Sequence, residues 1–157
     1  AVEKAARTRE YKDNRPKAIT DFEALLIRNG QKPPKGGYDD RKANGLTDFC
    51  LDYLRFYGFY GARINTGGTA IGATGAGGRE KLKYAESKST KGVADIIACI
   101  RGHFCQYEIK AGKDRPRKDQ LEQQQLTISA GGDYIFIHNA TEFVDSVRTI
   151  SSKEYGR

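Results

Sequence analysis

Three charged residues interrupt what otherwise reads as an apolar hairpin. Residues 93–111 are VADIIACIRGHFCQYEIKA, with Val93, Ile96, Ile97 and Ile100 in one run and Phe104, Tyr107 and Ile109 in the next. Asp95 lies near the start of the first run, and Glu108 and Lys110 lie in the second. Arg101–Gly102 between them predicts a tight two-residue turn. Such a turn pairs Ile100 with His103 and sets Asp95 opposite Glu108. Directly opposed residues share a face of the sheet, and Lys110, two positions on from Glu108, shares it too. Two carboxylates across a hairpin repel unless a cation lies between them. Lys110 is one candidate. A divalent metal is the other, because hard cations take carboxylate oxygens, and the Ile109 carbonyl adds a further oxygen ligand. An ordinary half-exposed hairpin with an Asp–Lys salt bridge accounts for the same charges, so the residues alone leave both readings open.

The surrounding elements must hold this hairpin. Ile19 to Asn29 reads as a short helix, with Thr20 and Glu23 at capping-box spacing and Gly30 as a stop. QKPPKGGYDDRKANG, residues 31–45, reads as a linker. Leu46, Phe49, Cys50, Tyr53, Leu54 and Tyr57 follow a helical period from Leu46 to Tyr57. YGARINT then reads as a strand, and the glycine-rich stretch 67–78 as a flexible loop. That stretch lacks the Gly-Lys-Ser/Thr ending of a phosphate-binding loop. Val93 to Ile100 and Phe104 to Ala111 are the hairpin strands. RKDQLEQQQLTISA reads as a helix, DYIFIH as a strand, and Ala140 to Ile150 as a closing helix. The order from residue 46 is α-β-β-β-α-β-α.

The 157-residue chain predicts one domain, 46–157, preceded by an arm, 1–45, with eleven Lys/Arg against seven Asp/Glu. The net charge of +7 favours a polyanionic partner, nucleic acid first. No apolar run approaches a membrane span. Cys50, Cys99 and Cys105 are odd in number and lack metal-site spacing, which points to a reducing compartment such as the cytoplasm.

The ordered pieces RINTGG, KGVADIIACIRGHF, EIKAG, Gln120 and AGG resemble the VRR-NUC family of the PD-(D/E)xK nuclease superfamily. The resemblance covers residues 46 to about 150. It implies a restriction-endonuclease-like αβββαβ core, an α/β fold whose central mixed sheet is flanked by helices, with the basic helical arm added. It implies that Asp95 and Glu108, with the Ile109 carbonyl, hold Mg²⁺ or Mn²⁺, that Lys110 acts on water or the transition state, and that Gln120 positions water beside the lysine. Arg63 and Asn65 are implied near the phosphate path. Lys91, Lys113 and Arg115 belong to basic runs on either side of the proposed site, suited to gripping a nucleic-acid backbone. The implied activity is metal-dependent DNA endonuclease cleavage, structure-specific on branched DNA in the manner of a Holliday-junction resolvase, by a homodimer. The alternatives are a catalytically inactive nucleic-acid-binding module of the same fold, or a monomeric nicking or end-trimming nuclease. Two features depart from the pattern: Ala94 replaces the proline, and Ala43 to Thr47 carries no acid where the family has a first-helix Glu. Asp48 and Asp52 are the nearest substitutes.

Overall fold

The structure is a computed structural model that describes residues 10–11, 14–64, 70–71, 83–84 and 91–153. It is an α/β arrangement. Helices α1 (Lys17–Arg28) and α2 (Ala43–Phe56) precede strand β1 (Tyr60–Arg63) and the short strands β2 (Ala70–Ile71) and β3 (Lys83–Tyr84). The hairpin β4 (Ile96–Ile100) and β5 (His103–Ile109) follows, then α3 (Lys118–Ser129), β6 (Asp133–Ile137) and α4 (Ala140–Ser152).

The main sheet has the order β1-β4-β5-β6. The pairs β1/β4 and β4/β5 are antiparallel, and β6 runs parallel to β5. A parallel neighbour requires a crossover, which α3 supplies. The hairpin register is the one a two-residue turn dictates, Ile100 with His103 and Ile96 with Tyr107. Arg101 and Gly102 both take positive φ, 51° and 84°, the backbone of a type I′ turn that matches strand twist.

Side-chain alternation then sorts the sheet. Ile96, Ala98, Ile100, Cys105, Tyr107 and Ile109 leave one face and are buried with Leu46, Phe49, Leu54, Phe143 and Val147 of α2 and α4. Asp95, Gln106 and Glu108 belong to the other face, where α3 packs.

Several expectations change. The glycine-rich stretch holds strand β2, paired with β3; the rest of 67–78 lies outside the described residues. Helix α1 starts at Lys17 behind Pro16, with no side-chain cap, so Thr20 and Glu23 form no capping box. The Thr20 hydroxyl donates to Lys17 O inside the helix. Glu23 turns inward, pairs with Arg15 at 2.6 Å and accepts the Tyr38 N–H at 3.0 Å. Helix α2 begins at Ala43, three residues before Leu46. Residues 93–95 precede β4 rather than belonging to it.

The segment read as an arm and linker packs into the same core. Ile19, Phe22, Leu26 and Tyr38 are buried, and the Phe22 ring lies within 6.0 Å of those of Tyr38, Phe49, Tyr53 and Phe56. Buried Asp40 accepts from the Ala140 N–H at the start of α4 and from the Tyr11 hydroxyl.

Candidate active site

One step past the last paired residues of the hairpin, the β4 side is no longer a strand. Asp95 there closes the ladder with its side chain, Oδ2 accepting the Ile109 N–H at 2.9 Å. Within a strand residue the N–H and C=O point to the same neighbour. The Ile109 carbonyl therefore leaves β5 on the Asp95 side.

Glu108 and Lys110 are buried on the α3 face, at 5% and 2% exposure. The Lys110 Nζ lies 3.1 Å from Glu108 Oε1 and 3.2 Å from Asp114 Oδ2. Gln120, also 2% exposed, donates its Nε2 to the same Glu108 oxygen at 2.5 Å. Its Oε1 accepts the Arg117 N–H at 2.9 Å, which satisfies a free donor at the start of α3. One amide thus caps the helix and holds a carboxylate. Burial raises the Glu108 pKa above its ordinary value, and the charge of Asp95 adds to this, while Lys110 and Arg117 oppose it. Asp114 is exposed, and the Lys110 ammonium holds it below the usual carboxylate range.

A second set of contacts positions Asp95. Gln106, buried at 3%, accepts the Ala94 N–H at 3.3 Å and donates to Thr127 Oγ1 at 2.9 Å. The Tyr134 hydroxyl donates to Gly92 O at 2.9 Å, and Gln124 Nε2 donates to Tyr134 O. Gly92 has φ +79° and lies so close to α3 that a Cβ there would be 2.2 Å from Asp119 O. These contacts fasten residues 92–95 to the helix that carries Gln120. Sequence reading missed Gln106, Tyr134, Gly92 and Asp114. Gln106 and Tyr134 share the site face, so alternation along β5 and β6 was a usable signal; Gly92 and Asp114 lie in loops and carry no period.

The other expected residues are placed as follows. Lys91, Lys113 and Arg115 are exposed on the segments flanking the hairpin. Arg63 pairs in register with Ile96, which puts its side chain on the opposite face from Asp95 and Glu108, where Nη2 donates to Asn44 Oδ1 at 2.9 Å. The structure does not bring Arg63 to the carboxylates. Asn65 lies outside the described residues. Asp52 is engaged by the Tyr38 hydroxyl and Arg55, each at 2.8 Å, and Asp48 is exposed on α2.

A different cluster lies at the turn end of β5. His103, Cys105 and Asp133 each offer a ligand atom within 4.8 Å of the others. Asp133 Oδ2 already lies 2.7 Å from His103 Nε2 and 3.0 Å from Lys153 Nζ. Burial and the nearby Asp133 charge push the Cys105 thiol up to about 12. Without a metal the cluster is already an ion-paired cap on the sheet, Asp133 held between His103 and Lys153.

No known family model matches the chain, and no curated protein matches it.

Proposed function

We propose that the chain is a divalent-metal-dependent phosphodiesterase of the PD-(D/E)xK type, with the restriction-endonuclease-like fold, acting on DNA. The observation that carries this reading is the convergence of Asp95, Glu108, Lys110 and Gln120 at one end of the hairpin. A buried carboxylate, lysine and amide are costly to desolvate and must be paired. Here they are paired with one another beside a second carboxylate.

The donor set fits a hard cation: two carboxylates and the outward carbonyl of Ile109 are all oxygen. A bound Mg²⁺ or Mn²⁺ would lower the pKa of its water and neutralise phosphate charge. The Ile109 N–H fixes Asp95, and Lys110 and Gln120 fix Glu108, so the two carboxylates would present oxygens to a cation from defined orientations. Lys110 directs ammonium N–H groups where negative charge builds in the transition state. Lys91, Lys113 and Arg115 supply exposed charge for backbone phosphates.

The substrate reading extends this to branched DNA cut by a homodimer, since two symmetric incisions call for two sites related by a two-fold axis. Three cysteines without disulfides suit a reducing cytoplasm. Among the described residues, no helix is long and apolar enough to cross a membrane.

The test is incubation with linear duplex, flap and four-way-junction DNA, with Mg²⁺, with Mn²⁺ and with chelator, alongside a mass measurement in solution. The expected result is metal-dependent cleavage, fastest on the junction, by a dimer. Asp95→Asn and Glu108→Gln each lower the rate by more than about a hundredfold, since even residues behind metal ligands are worth ten- to a hundredfold. Binding without cleavage under every condition points instead to an inactive module. Cleavage that survives chelation or either substitution overturns the metal reading.

A further inference from the structure

Resting on that reading, we propose that Asp114 is a positioning residue for Lys110, outside the D…ExK set, that fixes where the lysine's remaining N–H points. Lysine reaches a site on four rotatable bonds, and its ammonium has three equivalent donors. A single partner leaves the ammonium free to turn about that contact. A second partner fixes the rotation and therefore the direction of the third donor. In this chain the ammonium forms an ion pair with Glu108 Oε1 at 3.1 Å and donates a hydrogen bond to Asp114 Oδ2 at 3.2 Å.

Asp114 is itself held. Its Oδ1 accepts the Arg115 N–H at 2.9 Å, so both carboxylate oxygens are engaged and the side chain has a defined orientation. The pairing is unequal in depth: the Lys110 side chain is 3% exposed and that of Asp114 58%. An exposed surface ion pair contributes little to stability. What it contributes here is aim. The arrangement also has a use once Glu108 turns to a cation, because Asp114 then remains as a partner that is not a candidate metal ligand.

Two rival roles make different predictions. An acid beside a phosphate-binding rim that acts only through its charge repels DNA, and its removal tightens binding. An acid that only tethers the 111–117 loop affects folding stability and binding together. A positioning role instead lowers turnover and spares both.

The experiment compares the full-length wild type with Asp114→Asn, Asp114→Ala, Asp114→Glu, Lys110→Ala and the Lys110→Ala/Asp114→Asn double variant. Single-turnover cleavage of saturating junction DNA is read with Mg²⁺. Affinity is read without divalent ion, and thermal midpoints are read on each protein. The expected result is a loss of about ten- to a hundredfold in rate for the Asn and Ala variants, the scale of an ångström-sized misplacement. Affinity stays within about twofold and the midpoint is unchanged, as for a partner that aims rather than binds. Asp114→Glu recovers most of the rate. Asp114→Asn has no added effect in the Lys110→Ala background, because the two act as one unit. A wild type that cleaves with an equally fast Asp114→Asn overturns this inference alone. Tighter DNA binding at unchanged rate, or the same loss with Lys110 already removed, overturns it as well. A wild type that cleaves nothing removes the proposed activity, and this role with it.

Discussion

A lysine, a glutamate and a glutamine, each nearly fully buried, are held together by short contacts at the strand end. The opposite end of β5 shows the simpler electrostatics of Asp133. Burial tends to raise its pKa, but the Lys153 ammonium and the His103 ring outweigh this and leave it below its ordinary value. A depressed carboxylate stabilises the fold above its unfolded pKa, and that contribution disappears as the pH falls through the folded value. Asp133→Asn is therefore expected to cost about 1–2 kcal/mol near neutrality. The two proteins converge below about pH 4, where the unfolded carboxylate takes up its proton. Urea midpoints across that range check it, and a constant difference down to acid pH refutes it. Asp95 and Glu108 were legible in sequence because turn length fixes parity across a hairpin. Asp114 was not, because four residues of loop carry no period from which to infer that it reaches back to Lys110. Gln106 was legible only in part: alternation gives it the parity of Glu108, but a polar residue on that face also suits a strand turned to solvent, so parity alone does not single it out.

At the level of elements, the site depends on how residues 92–95 lie against the first turn of α3. Gly92 makes this approach possible, with its left-handed backbone and no side chain. Gly92→Ala is expected to destabilise the protein by about 2 kcal/mol or more, through backbone strain and the clash with Asp119 O. It should also lower cleavage by more than the stability loss accounts for, since Asp95 moves with the segment. Denaturant unfolding and cleavage measured on the same preparation separate the two effects. The four strands of the main sheet and the helices from residue 46 were legible from apolar runs and their glycine and turn boundaries, whereas β2 and β3, two residues each, are too short to carry a period. The start of α1 was misread because Thr20 and Glu23 have cap spacing by coincidence; Pro16, fixed in φ, begins the helix.

At the level of the molecule, charge and proline content made residues 1–45 resemble an appendage, whereas Ile19, Phe22, Leu26 and Tyr38 complete the core. The misreading has a physical cause. Four buried apolar residues among many charges lower the mean hydropathy of a segment without lowering what those four contribute to packing. Phe22→Ala is expected to cost about 3–4 kcal/mol. A chain starting at residue 43 should fail to unfold cooperatively in calorimetry. A stable, cooperatively melting truncation would show that the core closes without α1.

The hydrogen bond from the Ala140 N–H to Asp40 joins positions 100 residues apart. During synthesis, α1 and α2 emerge from the ribosome before α4, and must wait with part of their apolar surface uncovered until α4 arrives. Asp95, Glu108, Lys110 and Gln120 all emerge before that moment. These four residues are thus present in the nascent chain before the core that steadies them can close, which ties the assembly of their contacts to the translation of α4.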